Sequence, residues 1–113
     1  MRNQRRIVDY ALRRRSVLAA VSAGRTSIKE VCDADPYLLR AAKFHGVPSA
    51  VTCPVCRKET LTIVSWVYGE RLGSASGSAR TPAELARLAA TQEEFSVHVV
   101  EVCRTCHWNH LIQ

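Results

Sequence analysis

The sequence predicts an α+β fold: an N-terminal helical module followed by a zinc ribbon of about three antiparallel strands with a short inserted helix. Three observations lead to this prediction. Helix boundary signals concentrate before residue 47, runs of β-branched and aromatic residues follow it, and two Cys-x-x-Cys pairs lie beside those runs. We therefore divide the chain into a basic helical module (1–46) and a zinc-ribbon domain (47–113), with a Gly/Ser loop and short helix inserted at 71–92.

The first element is predicted from the segment NQRRIVDYALRRRSVLAAVSAG, which reads as a helix from about Gln4 to Ala23 with Gly24 as its stop. At 100° per residue most of its apolar side chains fall on one face, but Arg14 falls within that apolar arc. The face comprises Ile7, Tyr10, Ala11, Val17, Leu18 and Val21. Arg2, Arg6 and Arg13 fall on roughly the opposite face.

Two shorter helices are predicted next. Thr26 or Ser27 suits the N-cap of the first, with Glu30 near the capping-box position. The segment DPYLLRAAKFHG predicts the second, with Asp35 as N-cap, proline at the first helical position and Gly46 just beyond the end.

The ribbon is predicted from three strand-like segments: TLTIVSWVYGE, EFSVHVVEVC and CHWNHLIQ. Between the first two, RLGSASGSAR carries Gly73 and Gly77 among serines and predicts a flexible loop. The segment TPAELARLAA predicts a short helix with Thr81 as N-cap and Glu84 at its third position.

The cysteine motifs are the most specific signal in the chain. CPVC and CRTC each have the two-residue spacing of a metal-binding knuckle, and two knuckles supply the four tetrahedral thiolates of a closed structural zinc site. The predicted ligands are Cys53, Cys56, Cys103 and Cys106. Three alternatives stay open: buried free thiols, one redox-active Cys-x-x-Cys, and an iron–sulfur cluster. A redox-active Cys-x-x-Cys stands at the start of a helix. Here strands follow the cysteines, which favours zinc.

Other residues of metal-binding type lie near these motifs. With four cysteines present no coordination position stays open, so His107 and His110 are predicted to lie around the site or at the surface, and the role of His98 stays open. Cys32 has no partner at metal spacing and is predicted to be a small buried apolar residue rather than a reactive thiol. The sequence has no phosphate loop, nucleophile elbow or HExxH motif, so we predict that the protein is not an enzyme.

The distribution of charge and the predicted cellular location restrict the functions that we consider. Residues 1–30 hold eight Lys and Arg against two acidic residues, so the net charge of +6 lies in this segment and the remaining residues balance. No run of about 18 uncharged apolar residues is present, and the arginine-rich start lacks the apolar core of a secretory signal. A cytoplasmic location follows, where paired cysteines favour metal over disulfides.

The leading functional hypothesis is a non-catalytic zinc-ribbon module that contacts RNA or DNA, as an accessory factor of a ribonucleoprotein or transcription complex such as the ribosome or RNA polymerase. The predicted nucleic-acid contacts are Arg2, Arg5, Arg6 and Arg13. Trp66, Tyr68 and Trp108 are candidate stacking surfaces, with burial in the core as the alternative. The alternative function is a protein–protein adaptor that uses the helical module, with zinc purely structural. The oligomeric state stays open.

Several segments together resemble a family of small actinobacterial proteins of unknown function. They are VDYALRRRSVLAAV, VCDADPYLLRAAKFHG, CPVCRKE, LTIVSWVYGE, SGSARTPAEL and HVVEVCRTCHWNHL, so the resemblance extends over nearly the whole length of the chain. The resemblance implies a zinc-ribbon protein whose ligands match at Cys53, Cys56, Cys103 and Cys106. It implies no substrate and no catalytic residue.

Overall fold

The computed structural model describes residues 7–91 and 94–113 and confirms the α+β class. Three helices, α1 (Ala11–Ser22), α2 (Ile28–Val31) and α3 (Pro36–His45), precede the sheet. The sheet strands are β1 (Val47–Thr52), β2 (Thr60–Tyr68), β3 (Ser78–Arg80), β4 (Ser96–Val102) and β5 (Asn109–Leu111). A 3₁₀ segment (Glu70–Ala75) and helix α4 (Pro82–Thr91) lie between β2 and β4.

The sheet is antiparallel and centred on β2. Strand β4 pairs along one edge of β2, where Thr62 lies opposite Val102, and β5 pairs with β4. Strands β1 and β3 share the other edge of β2, β1 near its start and β3 near its end. β1 and β3 add to the three predicted strands, and β3 replaces part of the predicted flexible loop.

The first helix is shorter than predicted. It begins at Ala11 rather than near Gln4, with Tyr10 as the N-cap residue. The Asp9 side chain accepts a hydrogen bond from the Ala11 N–H at 2.9 Å. Residues 4–6 lie outside the described residues, and residues 7–10 are not helical. The end is as predicted: Gly24 has φ +78°, and the Arg25 N–H donates to the Ala20 carbonyl.

The capping predictions for the other helices are mostly confirmed. Ser27 and Glu30 form a reciprocal capping box on α2, and Asp35 caps α3. Gly46 directly follows the last residue of α3, as predicted, and its backbone is extended rather than left-handed. Glycine is required there because a Cβ atom would collide with the Thr62 methyl group of β2.

The buried apolar side chains form two clusters. The first joins Ala41 and Ala42 of α3 to Val64 and Trp66 of β2. The second surrounds the cysteine loops and includes Leu61 and Trp108, with residues of α1 packed against it. Helices and strands thus share both clusters, and the division into two domains at residue 46 stays a prediction. Within the described ranges, no helix is long and apolar enough to cross a membrane.

Candidate metal centre

Two β-hairpin loops meet at one end of the sheet. The loop between β1 and β2 carries Cys53 and Cys56, and the loop between β4 and β5 carries Cys103 and Cys106. Because β2 pairs with β4 in a register that aligns Thr62 with Val102, both loops emerge side by side. The pairing of these two strands therefore brings together cysteines that are about fifty residues apart in the sequence.

The two loops have the same backbone conformation. In each, the N–H of the first cysteine donates a hydrogen bond across the hairpin: Cys53 to the Glu59 carbonyl and Cys103 to the Trp108 carbonyl, both at 2.8 Å. The residue after each second cysteine has a positive φ, +59° for Arg57 and +74° for His107. Such a conformation is uncommon for residues other than glycine, and its occurrence at equivalent positions marks a shared loop geometry.

Backbone N–H groups point at the sulfurs, as the knuckle prediction requires. The Val55 N–H lies 3.4 Å from the Cys53 Sγ, the Lys58 N–H 3.5 Å from the Cys56 Sγ, and the Cys106 N–H 3.4 Å from the Cys103 Sγ. These donors stabilise negative charge on sulfur and thus favour the thiolate form that metals bind.

The four sulfurs form a compact group that fits a metal ion. All four Sγ atoms lie within 4.8 Å of one another, and the Cys53–Cys106 and Cys56–Cys103 pairs are each 3.6 Å apart. A tetrahedron with metal–sulfur bonds of about 2.3 Å has sulfur–sulfur edges of about 3.8 Å. The observed spacing is therefore compatible with one ion at the centre of four thiolates.

The pKa values of the four thiols move in opposite directions. The Lys58 N–H aimed at its sulfur lowers the pKa of Cys56 to about 7. Burial raises the pKa of Cys53, Cys103 and Cys106, the last to about 12. Thiols buried in this way resist ionisation on their own, and a bound cation offsets that cost by attracting all four thiolates.

Helix α1 is tied to the second apolar cluster by Arg14. Its Nε donates to Glu101 Oε2 at 2.7 Å, and the same oxygen accepts a hydrogen bond from the Trp108 indole at 2.8 Å. Trp108 is fully buried, and Val17 and Leu18 of α1 pack against the same cluster. This explains why an arginine interrupts the apolar face of α1: its partner is a buried carboxylate on β4.

Cys32 has a neighbour that the sequence did not predict. It is half-buried rather than buried: it packs against the second apolar cluster, and its Sγ lies 3.7 Å from the Cys106 Sγ. The contact arises because the segment after α2 crosses the second knuckle, where the Ala34 N–H donates to the His107 carbonyl. A contact between residues 74 apart leaves no local sequence signal.

The group of potential metal ligands that the described residues bring together contains the four cysteines and no histidine. His98 packs edge-on against Tyr68 at 5.2 Å, and His110 stacks on Trp108 at 5.9 Å. Of the basic residues beside the sulfurs, Lys58 contributes its backbone N–H. An unexpected neighbour is Glu59, whose carboxylate lies 4.0 Å from the Cys103 Sγ and accepts from the Thr105 hydroxyl at 2.9 Å.

The predicted nucleic-acid contacts are described only in part. Arg2, Arg5 and Arg6 lie outside the described residues. Arg13 is exposed on α1, with its guanidinium 5.8 Å from the centre of the Tyr10 ring. Because residues 7–10 are not helical, a single helical face shared by Arg2, Arg6 and Arg13 is not supported.

The candidate stacking residues differ in exposure. Trp108 is fully buried and Trp66 nearly so, which confirms the core alternative for the two tryptophans. Tyr68 is 45% exposed. The aromatic side chains most open to solvent, Tyr37 and Phe44, lie instead on α3, where sequence reasoning assigned no surface role.

The fold and site define a small α+β protein with a four-cysteine centre between two hairpin loops. The chain belongs to a family described as a family of unknown function (DUF5318), whose model matches residues 1–113. It is 70% identical over 106 residues to uncharacterized protein Rv0049 of Mycobacterium tuberculosis and to uncharacterized protein Mb0050 of Mycobacterium bovis. The match covers 94% of this chain and 77% of each relative. No solved structure matches the chain significantly.

Proposed function

We propose that the protein is a non-catalytic zinc-binding module of the cytoplasm in which zinc is purely structural. The observation that carries this proposal is the closed group of four cysteine sulfurs inside an apolar cluster, with Cys53 and Cys103 fully buried. A catalytic zinc has three protein ligands and an open position, whereas four thiolates complete a tetrahedron. When bound, zinc supplies the charge that holds the two hairpin loops and the second apolar cluster together.

Zinc identity has a direct test. Protein purified without added metal should contain one zinc per chain, and X-ray absorption should give four sulfur neighbours at about 2.3 Å. Cobalt substitution provides a second measurement, since a tetrahedral thiolate site gives intense visible absorption. Fewer than four sulfurs, or oxygen from water in the coordination shell, would support a catalytic site instead.

We further propose that the module contacts nucleic acid, as an accessory factor of a ribonucleoprotein or transcription complex. The support is electrostatic: the net charge of +6 lies in the first 30 residues, and Arg13 and Arg15 are exposed on α1. Arginines bind phosphates without reading sequence and release counterions. We propose four arginines as the phosphate contacts and call them the N-terminal arm: Arg2, Arg5, Arg6 and Arg13.

Titration against duplex DNA and total RNA at two salt concentrations tests this second proposal. Replacing Arg2, Arg6 and Arg13 by Glu should abolish binding by these arginines while zinc content stays constant, because none of the three is among the four proposed cysteine ligands. Arg→Gln replacements should flatten the salt dependence by about 0.9 per lost contact on duplex DNA. Equal and salt-insensitive binding by both proteins would contradict the proposal.

One observation favours the alternative of a protein adaptor. Ile7 and Leu12 are 71% and 75% exposed beside the start of α1, and apolar residues grouped in this way are a feature of protein interfaces. Replacement of both by Ser should abolish capture of a protein partner from nuclease-treated lysate. If those variants instead weaken RNA binding alone, the adaptor alternative fails.

A further inference from the structure

We infer that the outer face of α3 and the second knuckle form a binding groove for single-stranded nucleic acid, distinct from the arginines of the N-terminal arm. The inference rests on the proposed nucleic-acid function and locates the site where bases, rather than phosphates alone, are contacted. We name this surface the α3 groove and define it by Tyr37, Arg40, Lys43, Phe44 and Arg104.

The α3 groove exists because α3 is amphipathic. Its inner side packs Ala41 and Ala42 into the first apolar cluster, with Leu38 and Leu39 against them. The side chains of Tyr37, Arg40, Lys43 and Phe44 are exposed. Phe44 is 63% exposed and Tyr37 is 56% exposed, although both are large and at least partly apolar. Burial of such side chains stabilises a protein, so their exposure in pairs along one helix face indicates a surface that something else covers.

The α3 groove is made of adjoining concavities. Three concavities of about 270, 290 and 360 Å³ border one another around α3. The first two share Tyr37 and Trp66 in their walls, and the second and third share Arg40 and Phe44. The series ends at Arg104, between the two cysteines of the second knuckle. An extended chain fits such a series better than a compact ligand does.

The positive charge of the groove favours an anionic polymer as its ligand. The largest concavity is lined by Arg40, Lys43 and Arg104, and none of the three forms an ion pair with a carboxylate of the described residues. Asp35 lines the concavity at the opposite end. Three cations without a carboxylate partner among the described residues therefore lie at one end of the groove, and they complement an anionic backbone.

The alternation of cations and rings distinguishes nucleic acid from an acidic peptide. The Arg40 guanidinium lies 6.0 Å from the Tyr37 ring centre, and the Lys43 ammonium lies 5.3 Å from the Phe44 ring centre. Nucleic-acid single strands offer a phosphate for each cation and a base for each ring, the combination used by single-strand binding surfaces. An acidic peptide would use the cations and leave the exposed rings without partners.

Fluorescence anisotropy with labelled 12-nucleotide RNA and DNA strands tests the inference on the full chain. Phe44→Ala should weaken binding about 5- to 150-fold, because stacking on one aromatic ring is worth about 1–3 kcal/mol per base. Replacement of Arg40, Lys43 and Arg104 by Gln should lower the salt slope by about 2, at about 0.7 per phosphate contact on single strands. The RNA and DNA strands show which sugar the groove accepts.

Matched controls separate the groove from general charge and from folding. Arg71→Gln with Arg87→Gln removes two exposed arginines elsewhere and should leave the affinity within about twofold, since neither residue lines the groove. Ile28→Ala, at a residue 57% exposed, is the control for Phe44→Ala. Zinc content and melting temperature should be constant for all variants. Crosslinks from a photoreactive base analogue should map to Tyr37 or Phe44.

The outcomes distinguish this inference from the proposed function. If wild-type protein binds neither strand, both fail. If binding depends on Arg13 and is unaffected by the groove variants, the nucleic-acid function stands and the groove is refuted. If polyglutamate competes as well as RNA and Phe44→Ala has no effect, the groove binds an acidic protein and the inference is overturned.

Discussion

Replacing Arg14 by Met should destabilise the protein far more than removal of an ordinary surface arginine does. The Glu101 carboxylate is 5% exposed, and its Oε2 is held by the Arg14 Nε at 2.7 Å and by the Trp108 indole at 2.8 Å. Removal of the guanidinium leaves a buried carboxylate with one neutral donor on that oxygen. An unpaired buried charge is strongly destabilising, whereas exposed ion pairs contribute little.

The magnitude follows from the burial of the two partners. Loss of one member of a fully buried pair costs about 3–5 kcal/mol. The Arg14 side chain is 25% exposed, so water reaches part of the site and we expect about 2–3 kcal/mol. In a chain of this size that lowers the melting temperature by about 8–12 °C. Arg15→Met, at an exposed neighbour on the same helix, should change stability by less than about 0.5 kcal/mol.

A double-mutant cycle in urea unfolding measures the interaction itself. Glu101→Gln removes the charge and keeps an acceptor for the indole, so the Arg14→Met/Glu101→Gln double variant should recover about 1–2 kcal/mol relative to the sum of the single changes. A cost for Arg14→Met no larger than that for Arg15→Met would refute the reasoning. So would additivity of the two changes.

The other predictions rest on the proposal that the four-cysteine centre binds zinc. Cys56→Ser should abolish zinc retention and the cooperative melting of the hairpin loops, which calorimetry with and without chelator would measure. Cys32→Ala should keep one zinc per chain and cost about 1 kcal/mol, because Cys32 contacts Cys106 without joining the four ligands; a zinc content of half or less would contradict this. His107→Gly should keep zinc and full stability, since glycine adopts its φ of +74° without strain. Zinc affinity should fall with decreasing pH by about tenfold per pH unit for each thiol that must lose a proton, and a competition assay with a chromophoric chelator checks this.

The sequence predicted those elements whose signals are local. Ser27, Asp35 and Thr81 each sit within four residues of the helix N–H they cap, and the structure has all three contacts. The Cys-x-x-Cys spacing is local in the same way, and it placed the knuckles correctly. Their meeting could be inferred because two knuckles of one kind share a metal.

The features that sequence reasoning missed depend on distant partners or on weak local patterns. Arg14 interrupts the apolar face of α1 because it pairs with Glu101, which is 87 residues further along the chain. Strand β1 is almost wholly exposed and contains Pro48, so it has neither alternation nor high strand propensity. Strand β3 has three residues, too few for a periodic signal. The predicted start of α1 is too early because the periodic pattern continues ahead of Ala11, where residues 7–10 are not helical and the Asp9 side chain accepts from the Ala11 N–H.

The metal centre and the α3 groove meet at one residue, which links stability to binding. Arg104 lies between Cys103 and Cys106, so the conformation of the second knuckle sets the position of a cation in the groove. Helix α3 is attached to the sheet through the first apolar cluster, whereas the knuckle belongs to the second. Metal removal should therefore displace Arg104 from Arg40 and Lys43 while α3 stays packed. Because the rings of Tyr37 and Phe44 lie on α3, the metal-free protein should retain stacking of bases and lose about one phosphate contact, a decrease of about 0.7 in the salt slope on single strands. Loss of all binding on metal removal, with α3 still protected from hydrogen exchange, would show that the knuckle contributes more to the groove than this one cation.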